Sequence, residues 1–150
     1  MAAAATEIHA HFAMSAHKIV DKWADRSPKL RSVLRIVTAF LFMQAGAAKL
    51  FAFPVPLLPG GATARVASQL GAAGILELFG GGLVLIGLFT RPIAFLMAGE
   101  MAVAYFQVHF PKGFWPLANG GVSAILYCFI WLYISAAGAG PWSIDAKRGR

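Results

Sequence analysis

The chain has 150 residues, of which 59% are hydrophobic and only 13% charged, where an ordinary soluble domain carries about 25% charge. That balance excludes a soluble globular domain and indicates a single membrane domain. A net charge of +7 would indicate nucleic acid in a soluble protein, but here the basic residues gather at the two termini, so no nucleic-acid partner is expected.

The single cysteine, Cys128, excludes an intramolecular disulfide, a CxxC redox pair and a cysteine zinc site. The opening MAAAAT is too short an apolar run for a secretory signal and leads directly into Glu7 and His9. Residues 7–24 set Ile8, Phe12, Ala16, Ile19 and Trp23 on one stripe, with Lys18, Asp21, Lys22 and Asp25 off it. This predicts an amphipathic helix lying on a membrane or docking on a partner. His9 and His11, with His17 after them, lack the further converging ligands a metal needs.

Ser27-Pro28 reads as a helix start, with serine as the cap. A first span follows from about Lys29 to Phe53, ended by Pro54 and Pro56 and carrying Gln44 and Lys49 inside. Lys49 shares a face with Phe42, Ala45 and Gly46. The loop Pro54–Ser68 is rich in proline and glycine. The second span, about 69–89, carries one acid, Glu77, in an apolar run. An acid at mid-span costs roughly 2.5–3.5 kcal/mol on insertion scales, so Glu77 should face protein. Its helical neighbours Ala73, Gly74, Gly80 and Gly81 are small, as in a close helix–helix seam. Thr90 is placed to cap the third span, about 91–110, which holds Glu100 with Ala104 and Gln107 on its face. Phe110, Phe114 and Trp115 read as an interfacial aromatic belt. A fourth span, about 121–138, has no charge and contains Ser123, Tyr127 and Cys128.

The fold expected is all-α: an integral membrane four-helix bundle with an N-terminal amphipathic interfacial helix. It divides into an arm at 1–26, a four-span unit at 27–146 and a basic tail at 147–150. Lys18, Lys22, Arg26, Lys29 and Arg31 precede the first span, Arg91 follows the second, and Lys147, Arg148 and Arg150 close the chain. The other two loops hold only Arg65 and Lys112. Both termini are therefore expected in the cytoplasm.

At a rise of ~1.5 Å per residue, Gln107 lies ~5 Å, Lys49 ~7 Å, Tyr127 ~10 Å, Glu77 ~12 Å and Glu100 ~15 Å below the outer ends. Lipid exposure is costly for each, and for Gln44 of the first span, so these six should converge as a candidate ligand-binding site, with Lys49 pairing to Glu77. Such a cluster can pin the bundle without doing chemistry. It can also line a site for a small amphipathic ligand such as a quinone, with Lys49 or Tyr127 donating to its carbonyls and Glu100 extending a proton path. No redox centre is visible in the spans, so electron transfer would need a partner or a bound cofactor. The glycine run 80–82 lies mid-span without a preceding strand and is not a nucleotide loop.

Four short stretches carry a further resemblance: Gly46-Ala47-Ala48-Lys49-Leu50, Glu77-Leu78-Phe79-Gly80-Gly81, Gly87-Leu88-Phe89-Thr90-Arg91 and Gly138-Ala139-Gly140-Pro141-Trp142-Ser143-Ile144-Asp145. Over about residues 32–146 the chain resembles the DoxX family. The resemblance implies a small four-helix inner-membrane protein, often linked to redox complexes such as thiosulfate:quinone oxidoreductase or membrane oxidative-stress assemblies. Three functions stay open: a quinone-linked or accessory oxidoreductase subunit, a non-catalytic scaffold docking on a larger complex or on copies of itself, and a small-molecule or proton carrier using Glu77 and Glu100.

Overall fold

The computed structural model describes residues 20–149, and among them every regular element is a helix. The long helices are α1 (Ser27–Phe51), α2 (Gln69–Ile86) and α3 (Thr90–Lys112). A one-turn helix α4 (Pro116–Asn119) leads into α5 (Val122–Ala137), and a last turn α6 (Ile144–Lys147) closes the described chain. Among the described residues three helices are long and apolar enough to cross a membrane: Val20–Phe51, Gln69–Ile86 and Thr90–Lys112. With 16 residues, α5 is shorter.

Most of the amphipathic arm, with His9, His11 and His17, lies outside the described residues. From Val20 the chain is already helical and passes through one turn at Asp25-Arg26 into α1. Ser27 therefore does not cap α1. The backbone at Arg26 is helical (φ −87°, ψ −21°), and its carbonyl accepts from the N–H groups of Lys29 and Leu30 at 3.0 Å. Pro28 is tolerated because its missing N–H falls in the first turn. Helix α1 stops two residues before the predicted end, where Ala52 turns left-handed (φ 56°).

Neither α2 nor α3 is uniform. In α2, residues Leu76–Gly80 form a π turn around Glu77; in α3, Tyr105–His109 do the same. Such turns recur at functional positions because they aim side chains off the regular helical face. Ser68 caps α2, its hydroxyl accepting from the Gly71 N–H at 3.1 Å.

The bundle is two helix pairs laid together, α1 on α2 and α3 on α5. Glycine sets the first pairing. A Cβ on Gly46 would stand 2.6 Å from the Leu78 nitrogen and 2.7 Å from the Gly74 oxygen. The small-residue seam inferred for Glu77 is thus a backbone-to-backbone contact. Ala39, Phe42, Val84, Met97, Trp131 and Ile134 fill the centre, with Phe42 edge-on to Trp131 at 5.4 Å. Outward, Phe40, Phe79, Phe95 and Phe129 are all largely exposed, one from each long helix and from α5. Apolar surface on that scale belongs against lipid.

Candidate functional site

Two groups of polar side chains lie at opposite ends of the helices. Near the end that carries the Pro54–Ser68 connection, Lys49 from α1 forms an ion pair with Glu77 from the π turn of α2. Glu77 is 2% exposed, and Lys49 keeps 16%. Both line a cavity of about 690 Å³ together with Glu100 and Gln107 of α3 and Tyr127 of α5. Phe42 packs against the Tyr127 ring at 5.1 Å and forms part of the wall. Five of the six polar residues picked out from the sequence therefore meet in one space. Gln44, half-buried on α1, is not among the lining residues.

The cavity holds groups that sequence reasoning passed over. Gln69 donates to Gln107 at 2.6 Å, joining α2 to α3 at the mouth. His109 hydrogen-bonds through Nδ1 to the Asn119 carbonyl at 3.1 Å. A carbonyl only accepts, so Nδ1 carries the proton, and in the neutral ring Nε2 is left as an acceptor. Both oxygens of Glu100 are buried without a hydrogen-bond partner among the described residues. A buried carboxyl group in that state is costly. It requires a proton, a water or a ligand. Leu70, Val103 and Val108 also line the cavity while standing exposed on the outer surface, so the space opens on the apolar flank of the bundle.

At the opposite end a second network ties the chain's last turn to the helices. Arg35, in α1, is fully buried. Its Nε donates to the Ala139 carbonyl at 2.8 Å, one terminal nitrogen to the carbonyls of Val84 and Leu85, and the other to that of Trp142 at 2.5 Å. The guanidinium thus satisfies the last carbonyls of α2 and the segment after α5 together. Gly87 is forced here twice: its φ is +71°, and a Cβ would lie 2.3 Å from that of Ser143.

Thr90 was expected to cap α3, but it is the first helical residue, and the cap comes from the tail. Asp145 accepts from the Phe89 N–H at 3.0 Å and from the Thr90 N–H at 2.9 Å. A carboxylate at a helix N-terminus also complements the helix dipole. Burial pushes the Asp145 carboxyl up, but the backbone N–H groups of Thr90 and Phe89 and the nearby Arg148 outweigh it, so it titrates below the usual aspartate range. A depressed folded value means the contribution is fully present above about pH 4 and is lost as pH falls through the folded value. Asp145→Asn should lower the thermal midpoint in detergent at pH 7, and the two curves should converge on acidification. An unchanged midpoint at pH 7 would remove Asp145 from the latch.

The DoxX family model matches residues 30–110, more than half of the chain. The chain belongs to the DoxX family. A relative from Haemophilus influenzae, described only as an uncharacterized protein, is 43% identical over 123 residues, which cover 80% of this chain and 91% of that one. No solved structure matches. The DoxX match contains Arg35, Lys49, Glu77, Glu100 and Gln107, whereas Tyr127 and the Asp145 latch lie beyond its end.

Proposed function

We propose that the cavity binds a membrane-soluble quinone, or a molecule built like one, and that the protein is a quinone-linked or accessory subunit of a membrane oxidoreductase system. The observation that carries this reading is the Glu100 carboxyl, without a partner among the described residues, beside the Lys49–Glu77 pair in a largely apolar cavity open on the flank of the bundle. A ligand entering through that opening never needs to leave the hydrocarbon. Lys49 and Tyr127 donate to its carbonyl oxygens, and Phe42 offers an aromatic face.

Reducing a quinone to a quinol takes two electrons and two protons. Glu100 and the Lys49–Glu77 pair are the proton-handling groups of the cavity. The electrons come from a redox centre on an associated protein, as the accessory-subunit reading requires. In this reading residues 27–146 form one four-span unit in a bacterial inner membrane, with α5 as the fourth span and both termini cytoplasmic. Val20 and Trp23, exposed on the helical stretch before α1, belong to the arm that docks the protein on its complex.

Lipid extracts of protein purified from native membranes should contain ubiquinone or menaquinone in near-equal amount to the protein. Glu77→Gln, which keeps the side-chain shape but removes the charge that holds Lys49 in place, should lower that content about tenfold, the worth of one charge-assisted hydrogen bond from a Lys49 no longer positioned for the ligand. Wild-type protein free of quinone in both redox forms would sink the reading.

A further inference from the structure

A separate cleft of about 500 Å³ lies at the tail end of the helices, where α1 and α3 begin and α5 ends. Two arginines flank it. Arg31 donates to the Ala137 carbonyl and Arg91 to the carbonyls of Ser135 and Ala136. Between them they neutralise the last turn of α5. That task uses one terminal nitrogen of each guanidinium. Each has five N–H donors, and the Nε of Arg31 is buried without a partner among the described residues.

The cleft's acid, Asp145, is already engaged by two backbone N–H groups. Pro28, Phe89 and Pro92 give the cleft apolar walls, beside the hydroxyl residues Thr90 and Ser143. Phe89 holds a left-handed backbone (φ 51°), a conformation costly for a residue with a side chain and maintained here by the Asp145 latch. The surrounding surface adds Lys29, Lys147 and Arg148, all exposed. An anion that suits this place has several acceptor oxygens for two guanidinium forks and an apolar body for the proline and phenylalanine walls.

We propose that this cleft binds the phosphate of an anionic phospholipid, held between Arg31 and Arg91 with its glycerol and upper chain against Phe89 and Pro92. Basic pockets between membrane helices at headgroup level select such lipids, and guanidinium forks match phosphate oxygens in pairs. Free phosphate shares the charge chemistry but leaves the apolar walls unused. The lipid fills both.

The test uses the full chain in nanodiscs of phosphatidylcholine doped with phosphatidylglycerol, with bound lipid counted by native mass spectrometry after a detergent wash. Wild-type protein should keep phosphatidylglycerol in preference to phosphatidylcholine. Arg31→Gln and Arg91→Gln should each lower that retention about fivefold, the worth of one basic residue near an anionic surface. The double variant Lys147→Gln/Arg148→Gln, which loses two charges where each of these loses one, but no cleft residue, should lower retention less than either arginine variant. Equal retention of both lipids by wild-type protein overturns the proposal without any variant having to fold. So does an equal loss in the Lys147/Arg148 variant, which would mean diffuse attraction rather than a site. Stabilisation by inorganic phosphate equal to that by phosphatidylglycerol would assign the cleft to the free anion and overturn the lipid.

Discussion

Replacing Arg35 by methionine should destabilise the bundle by more than about 4 kcal/mol, a range that single substitutions reach only by breaking a buried network or opening a large cavity. Methionine has adequate length for the space but no donor. The carbonyls of Leu85, Ala139 and Trp142 would lose their donor at once, and that of Val84 would keep only the Gly87 N–H. Each such orphan costs about 1–3 kcal/mol. Lysine is no substitute, since an ammonium cannot reach carbonyls on two separate segments as a planar fork does. Titrating the helical signal with sodium dodecyl sulfate in mixed micelles would measure the loss for both variants. A methionine variant within about 1 kcal/mol of wild type, the net worth of one ordinary hydrogen bond, would show that the network contributes little.

Lys49→Met should cost about 3–5 kcal/mol, because it leaves the Glu77 carboxylate buried and unpaired. The double variant Lys49→Met/Glu77→Leu removes both charges and should recover most of that loss, as buried ion pairs replaced by apolar residues usually do. The cycle separates structure from function. If the pair only pins α1 to α2, the double variant should behave as wild type in every assay. If the pair serves the cavity, the double variant should be stable and empty of ligand. A double variant as unstable as the single would mean that Lys49 contributes through something other than its charge.

Lys49 and Glu77 were legible in the sequence because each violates the apolar run around it and each has glycine or alanine one turn away. Cost and spacing together specify a neighbour. Glu100, Gln107 and Tyr127 followed from the same cost, summed over spans whose ends could be located. Gln44 met the same criterion yet lies off the cavity, half-buried on α1; the desolvation cost of a neutral amide is too small to fix where it packs, and Gln107 reaches the cavity through its bond to Gln69.

Arg35 was passed over for the opposite reason. A basic residue near the start of a span looks like one more charge for orientation, and the carbonyls it serves are backbone groups with no signature in the sequence. Its helical neighbours Ser32, Ala39 and Phe42 are all buried. That stripe places Arg35 on the inner face of α1 and was the available signal. The Asp145 latch escaped similarly. A capping carboxylate is sought within a residue or two of the helix it caps, and Asp145 lies more than fifty positions downstream of Phe89 and Thr90. Phe89 itself could not have been read, since left-handed backbone is anticipated at glycine rather than at phenylalanine.

The widened coil at Leu76–Gly80 has a consequence for how this sequence can drift. It accommodates one residue beyond regular winding, which turns everything after it by roughly 100° relative to an unbroken helix. Upstream lies Gly74, fitted to α1, and within the coil itself Glu77; downstream lie the Val84 and Leu85 carbonyls gripped by Arg35. Those two stretches are phased separately, and the wide coil is the splice between them. Apart from Glu77 and the closely packed Gly80, its side chains are free to change over time, but its length is not. Losing a single residue there would put one half of the helix or the other out of step with α1.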